Sequence, residues 1–357
     1  MATTLGVMDG MDAMDSSDET VKDADQAEQD TESAEDAAAV LDAAAAAVDP
    51  LEQRLEMTPL DHRHRLLLVH AHPDDETIGT GVTMAKYVSE GALVTLVTCT
   101  LGEEGEVLVP GLEHLAAAKD DQLGPHRVEE LAAAMRLLGV TDHRFLGGPG
   151  RWRDSGMMGL PTNDRADCFW QADLDEATRE LVAVMREVRP QVVITYDERG
   201  GYGHPDHIQA HRVAVAAVDA SGDAGRWPEL GEPWTPAKLY YTALPKSVLQ
   251  AGIDYFRDKG DTSFWGEDVT SADELPMGTP DELVTTLVDG TAFFETKMDA
   301  MRAHATQIAV DGPFFALADG VGMAAFGREY YTLVRGEIGD RDGENGSESD
   351  IFSGVSG

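Results

Sequence analysis

Short apolar runs recur between residues 66 and 242 and predict the strands of a sheet. Residues 66–69 are four consecutive aliphatic side chains, a pattern typical of a strand that is buried on both faces. Comparable segments at 93–98, 144–146, 192–195 and 238–242 predict further strands. Polar residues follow the runs at 66–69 and 192–195 directly, so both strands are expected to end there.

Helical patterns separate these runs. Asp173 and Glu176 resemble a capping box, Pro190 ends the helix that they begin, and Gly139 suits the end of another. Helices are expected at 77–89, 127–138, 205–219 and 291–304, and from Asp173 towards Pro190. Alternating strands and helices predict an α/β fold, with a doubly wound, mostly parallel, Rossmann-like sheet and a C-terminal extension. Residues 254–289 are expected to form an irregular insertion.

Composition sets the boundaries of the folded part and excludes some partners. Residues 1–60 are expected to be a disordered acidic tail, 61–337 a single domain, and 338–357 a flexible acidic tail. The net charge of −39 argues against nucleic acid and membrane partners, because both are anionic. The chain has two cysteines and no long apolar run, which favours a cytoplasmic protein, and no pattern specifies an oligomeric state.

Metal-binding side chains follow two of the predicted strands. His72, Asp74 and Asp75 come after the first strand, and His207 comes after the strand at 192–195. Ligands of open α/β sheets lie beyond the carboxyl ends of the strands, so the two loops can converge on one ion. His72, Asp75 and His207 would supply two nitrogens and one oxygen, a set that suits Zn²⁺ or Fe²⁺ and leaves a position for water. Asp74 is then free to act as a base.

Neighbouring residues have competing interpretations. Asp206 can orient an imidazole or favour the dipole of a helix first turn, and the acids after the first strand can be helix caps. His211 lies one turn further along its helix, where packing is favoured over ligation. Gly79 and Gly81 weakly suggest a dinucleotide site, but Met84 replaces the third glycine of that motif. A metal-binding module without catalysis is a third hypothesis.

Two motifs carry a resemblance to a known family. His-Pro-Asp-Asp-Glu at 72–76 and His-Pro-Asp-His at 204–207 resemble the zinc-dependent de-N-acetylases, which include the glucosaminyl-phosphatidylinositol deacetylases. Residues 98–107, 150–157 and 196–207 are most similar to the deacetylase branch that acts in mycothiol biosynthesis. The specific match spans 66–218, and a weaker one covers 301–307. The acidic N-terminal tail departs from the family pattern.

The resemblance implies a reaction and a role for each site residue. It implies release of acetate from an N-acetylglucosaminyl-inositol, by attack of water that the metal activates. The alternative is a mycothiol S-conjugate amidase with the same metal site. One Zn²⁺ per chain would be held by His72, Asp75 and His207, with Asp74 as general base. Tyr202 would polarise the amide oxygen, and either His204 or protonated Asp74 would protonate the amine. The residues implied around the substrate are Arg127, Asp154, Glu106 and Met157.

Overall fold

One mixed sheet organises the molecule. The computed structural model describes residues 64–258, 260, 269–310 and 327–355. The described strands lie in the order β3-β2-β1-β4-β5-β7-β6. They are β1 (Arg65–His70), β2 (Leu93–Thr98), β3 (Asp142–Phe145), β4 (Val192–Thr195), β5 (Lys238–Ala243), β6 (Thr286–Asp289) and β7 (Arg328–Arg335). The five strands predicted from the apolar runs are all present, and the proposed tail at 1–60 lies outside the described residues.

Helices connect and cover the strands. They are α1 (Asp75–Ser89), α2 (Leu123–Leu138), α3 (Leu174–Val188), α4 (Pro205–Ser221), α5 (Lys246–Asp258) and α6 (Phe294–Ala303), with a single helical turn at Gly200–Gly203. The Asp173 side chain accepts a hydrogen bond from the Glu176 N–H, and Gly139 ends α2 with a φ of 74°. Both caps confirm the predicted helix ends. None of the described helices combines the length and the apolar composition needed to span a bilayer.

The strand order creates a switch point at the middle of the sheet. Strands β1 to β5 run parallel, whereas β7 is antiparallel to both β5 and β6. The chain moves outward from β1 through β2 to β3 and then returns to place β4 on the other side of β1. The loops that follow β1 and β4 therefore leave the sheet side by side, where α/β proteins bind their ligands.

Two apolar layers hold the helices against the sheet, because successive side chains of a strand point to opposite faces. Leu66 and Leu68 pack with α1, α2 and α6 on one face. Leu67 and Val69 pack with α3 and α4 on the other. Strand β1 is thus buried on both sides, as its unbroken aliphatic sequence predicts.

Two expectations about the C-terminal half are wrong. The segment 254–289 is not wholly irregular, since its described part contains the end of α5 and the edge strand β6. The segment 338–357 is not a flexible tail in its described part, because Ile351 and Phe352 are buried in the core. Few apolar residues occur in that acidic segment, so its burial depends on tertiary contacts that no local pattern indicates.

Glu348 is the residue that anchors the C-terminal segment. Its buried carboxylate pairs with the Lys238 ammonium and accepts hydrogen bonds from the Tyr240 hydroxyl (2.5 Å) and the Thr286 hydroxyl (3.0 Å). Its main chain bonds with Thr285 and Leu287, beside β6. Paired and fully hydrogen-bonded carboxylates tolerate burial, so this contact fixes the segment against β5 and β6.

We expect Phe352→Ala to destabilise the protein without changing its site. Phe352 stacks on His64 with ring centroids 4.3 Å apart and contacts Tyr87 edge-on at 5.2 Å. Removal of a buried phenylalanine ring costs about 3–5 kcal/mol, which urea unfolding would measure. Leu283→Ala, at an exposed leucine, is the control and should change stability by less than about 0.5 kcal/mol. Equal stabilities for the two variants would contradict the packing described for Phe352.

Candidate metal centre

Imidazoles and carboxylates from three loops converge at the switch point. His72 follows β1, Asp154 follows β3, and His204 and His207 follow β4. Ligand atoms of His72, His204 and His207 lie within 4.8 Å of one another, as do those of His72, Asp154 and Asp206. All these side chains are buried. The arrangement is a candidate site for one cation.

Asp75 links the two histidines that are predicted to be ligands. Its Oδ2 lies 3.2 Å from Nδ1 of His72, and its Oδ1 lies 3.3 Å from Nε2 of His207. The Nε2 atom of His207 is buried and, although it lies close to Asp75, makes no hydrogen bond of suitable geometry within the described residues. A buried nitrogen that makes no hydrogen bond is costly, and a cation would satisfy it.

Negative charge surrounds His72. Its Nε2 lies 3.3 Å from Oδ2 of Asp206 and 3.5 Å from Oδ1 of Asp154. Burial lowers the pKa of His72, but Asp154, Asp206 and Asp75 outweigh it and raise that pKa well above its usual value. The negative charge that favours a protonated imidazole also favours a divalent cation at this position. The donor set of imidazole nitrogens and a carboxylate therefore fits a metal of the zinc or iron class.

His204 is held in a form that differs from that of a ligand. The main-chain N–H of Asp206 donates to Nδ1 of His204 (3.1 Å), where His204 caps α4. Burial, together with His72 and His207, lowers the pKa of His204 to about 3, so its ring is neutral. A neutral ring with an accepting Nδ1 carries its proton on Nε2. His204 can thus donate a hydrogen bond from Nε2.

Asp74 has an unusual main-chain conformation beside the metal centre. Its φ is 121° and its ψ is −36°, a region that residues with a side chain rarely adopt. Its Oδ2 lies 3.1 Å from Nη2 of Arg127. Burial raises the pKa of Asp74 to about 6, against the opposing effect of the Arg127 guanidinium. Backbone strain of this kind costs about 1–3 kcal/mol and is concentrated at functional sites.

Tyr202 lies at the open side of the site. Its side chain is 43% exposed, and its ring centroid is 5.0 Å from that of His207. The turn that carries it needs glycine at position 200, where φ is 63° and a Cβ atom would lie 2.6 Å from the Cβ of His207. This close approach explains why a glycine-rich turn precedes the histidines.

The residues implied around the substrate occupy different depths. Arg127 is 3% exposed and donates to the carbonyls of Gly102 (2.8 Å) and Pro73. Asp154 lies beside His72 and accepts from the Gly156 N–H (2.8 Å). Glu106 is exposed, and Met157 is 51% exposed. Arg127 is therefore buried within the site, whereas Glu106 and Met157 lie at the protein surface.

Sequence reasoning missed two residues that orient the metal-binding side chains. The ring of Tyr196 stacks on His207 with centroids 4.3 Å apart, and its hydroxyl accepts from the Ala71 N–H (2.9 Å). Ser155 donates to Asp206 from both its N–H (2.9 Å) and its hydroxyl. Tyr196 lies within the segment 196–207 and Ser155 within 150–157, and the resemblance of these segments to the family is the signal that could have identified them.

The weak dinucleotide hypothesis loses its structural basis. Gly79 and Gly81 lie inside α1 and not in a turn that could surround phosphates. A Cβ atom at Gly81 would lie 3.0 Å from the Lys297 side chain, so this glycine allows α1 to pack closely against α6.

An α/β sheet with a histidine and aspartate centre at its switch point defines a candidate metal-dependent enzyme. The sequence profile of the PIG-L family, GlcNAc-PI de-N-acetylase, matches residues 67–218. A Geodermatophilus obscurus protein named 1D-myo-inositol 2-acetamido-2-deoxy-alpha-D-glucopyranoside deacetylase is 62% identical over 301 residues, which cover 84% of this chain and 100% of that one. The chain belongs to this family of de-N-acetylases.

Further comparisons agree with this assignment. A Catenulispora acidiphila protein, named 1D-myo-inositol 2-acetamido-2-deoxy-alpha-D-glucopyranoside deacetylase 1, is 58% identical over 291 residues, 82% of this chain and 89% of that one. The structure of N,N'-diacetylchitobiose deacetylase from Pyrococcus horikoshii, complexed with its inhibitor MPG, is 22% identical, with a TM-score of 0.51. It covers 80% of this chain and 90% of that chain, and it supports the fold.

Proposed function

We propose that the chain removes the acetyl group from 1D-myo-inositol 2-acetamido-2-deoxy-α-D-glucopyranoside, a deacetylation step of mycothiol biosynthesis. The observation that carries this proposal is the 62% identity to a relative of that name along its whole length. The buried histidine and aspartate centre supplies the chemistry that amide hydrolysis needs. Because both cysteines are free and buried, a reducing cytoplasm is the proposed location.

The proposed cofactor is one Zn²⁺ per chain, held by His72, Asp75 and His207. Asp75 lies within 3.3 Å of both histidines, and Nε2 of His207 has no other partner in the described part of the chain. When bound, such a cation polarises a carbonyl group and lowers the pKa of water from about 15.7 towards about 7. Asp206 contacts the other nitrogen of His72 and orients its ring, and Ser155 in turn holds Asp206.

Asp74 is the proposed general base. It neighbours Asp75 in the chain, but its carboxylate contacts Arg127 at 3.1 Å, so it is directed differently from the ligand. A carboxylate that is not a ligand can take a proton from water as the water attacks the acetyl carbon. Arg127 holds this carboxylate in place.

Tyr202 and His204 are the proposed donors to the developing oxyanion and to the departing amine. Tyr202 is 43% exposed beside His207, so an acetyl oxygen could reach its hydroxyl. The neutral His204 ring carries its proton on Nε2, and donors of this kind stabilise charge as it develops. The amine proton would come from His204 or from Asp74 after it has acted as base.

The sugar and inositol rings are proposed to lie against the loops that follow β2 and β3. Asp154, beside His72, can accept hydrogen bonds from sugar hydroxyls. Glu106 and Met157 are exposed and are proposed to contact the substrate from the protein surface. Arg127 contributes indirectly, because its guanidinium contacts the Asp74 carboxylate and the Gly102 carbonyl.

Acetate release tests the proposed function. We expect the purified protein to release acetate from the acetylated glucosaminyl-inositol, to stop after chelation, and to recover when Zn²⁺ is restored, because the metal is needed for the attack. A bulky mycothiol S-conjugate is the comparison substrate and should turn over more slowly. Faster hydrolysis of the conjugate would favour the amidase, and undiminished activity after complete metal removal would overturn the proposed chemistry.

A further inference from the structure

The main chain of Asp74 is held by a buried side-chain pair from distant parts of the sequence. The Asp74 N–H donates to Oε2 of Glu76 (2.8 Å), and Oε1 of Glu76 lies 2.9 Å from Nε2 of His304. Both Glu76 and His304 are completely buried, and 228 residues separate them. His304 follows α6, in the segment whose resemblance to the family carries no assigned role.

These contacts act on the strained residue. The Asp74 carbonyl accepts from the N–H groups of Thr77 and Ile78, both at 3.0 Å, as α1 begins. Its N–H, which the φ of 121° directs towards Glu76, has no such helical partner. Without the Glu76 carboxylate this partly buried N–H would lose its hydrogen bond, and the strained conformation would lose the contact that offsets it.

The position of Glu76 in turn depends on His304. Glu76 also accepts from the Thr77 hydroxyl (2.5 Å), but that contact comes from its own helix. His304 is the contact that joins the carboxylate to another element. The segment after His304 is fixed independently, since Glu130 accepts from both the N–H and the hydroxyl of Thr306, each at 2.8 Å.

We propose that His304 is a positioning residue, which acts through Glu76 to hold the strained Asp74 main chain so that its carboxylate faces the reacting water. This inference rests on the proposed function, in which Asp74 is the base. It assigns a role in the reaction to residues 304–310, the described part of the segment after α6, none of which is in a candidate metal-binding group. Arg127 and Glu76 then hold Asp74 from two sides, one at the carboxylate and one at the N–H.

Kinetics of His304 variants test the inference. We expect His304→Ala to lower kcat by about 10- to 100-fold with little change in KM, since a small misplacement of a catalytic group has an effect of this size. Bound metal, measured by elemental analysis, should stay at the wild-type level. His304→Gln should recover much of kcat, because its amide can still donate to Glu76. A rise in KM at constant kcat, or an unchanged kcat, would overturn the proposal.

Glu76 variants show whether Glu76 acts by holding the Asp74 N–H or by its negative charge. Glu76→Gln keeps an oxygen that can accept from the Asp74 N–H and should retain most of kcat, whereas Glu76→Ala should lose it. In an Asp74→Ala background, His304→Ala should have little further effect, because residues that act as a unit are not additive. The same fold loss in both backgrounds would contradict a role through Asp74.

Two controls show whether a fall in kcat comes from misplacement of Asp74 or from a general loss of stability, and whether the result depends on the choice of substrate. Lys297→Met removes another buried ion pair between α6 and a carboxylate, at 2.8 Å from Glu329, and should destabilise the protein with kcat retained. A crystal structure of His304→Ala should show Asp74 at a negative φ or without its Arg127 contact. If φ stays near 121° and the 3.1 Å contact persists, the inference fails, whatever the substrate. Wild-type acetate release tests the proposed function separately.

Discussion

Replacing Asp74 by alanine is expected to lower kcat by about two to four orders of magnitude, the usual contribution of a general base, while the metal stays bound. The base takes a proton but does not ligate, since its carboxylate contacts Arg127 and the neighbouring Asp75 contacts both histidines. Steady-state kinetics with elemental analysis on the same preparations would show the expected split between activity and metal content.

Asp74→Asn is the matched variant for this prediction. Asparagine keeps the size of the side chain and tolerates a positive φ, so the turn should be preserved. Its amide oxygen can still accept from Arg127, but it cannot take a proton at neutral pH. We therefore expect the asparagine variant to be as inactive as the alanine variant and more stable. Activity close to wild type in Asp74→Asn would rule out the base assignment, and loss of metal from both variants would make Asp74 a ligand.

The central part of the fold was predictable because its signals are local. The aliphatic run of β1 requires burial on both faces, and the Asp173 and Gly139 caps lie at helix ends. The antiparallel strands β6 and β7 were not predictable in this way. The side chains of strand β7 alternate between the two faces of the sheet, and the strand pairs antiparallel with β5. Its formation therefore depends on tertiary pairing and not on a local apolar run.

The candidate site was predictable as a set of residue types, because the candidate ligands lie in the segments that follow strands β1 and β4. The sequence could not predict which atoms are available. The proton position on His204 follows from a main-chain N–H of Asp206, and the strain at Asp74 follows from contacts with Glu76 and Arg127. Such properties depend on the main-chain conformation at His204 and Asp74 and on the distant Arg127, so a pattern of residue types carries no signal for them.

His207→Ala should release the metal, because two of the ligand sets that the geometry allows contain this histidine. One set is His72, Asp75 and His207, and the other replaces Asp75 by His204. Both need His207, so its loss should weaken Zn²⁺ binding by more than about 100-fold, beyond the effect of removing an outer partner, and should abolish activity. His211→Ala, one turn along α4, is the matched control and should keep the metal, because His211 contacts the Tyr196 carbonyl at 3.0 Å.

His204→Ala decides between the two sets. The Asp206 N–H occupies Nδ1 of His204, so Nε2 carries the proton and has no lone pair for a metal. We therefore expect His204→Ala to retain Zn²⁺ at the wild-type stoichiometry while kcat falls, and Asp75→Ala to lose both. Elemental analysis after dialysis measures this directly. If His204→Ala lost its metal and Asp75→Ala kept it, the three imidazoles would be the ligands, and a donor other than His204 would have to protonate the departing amine.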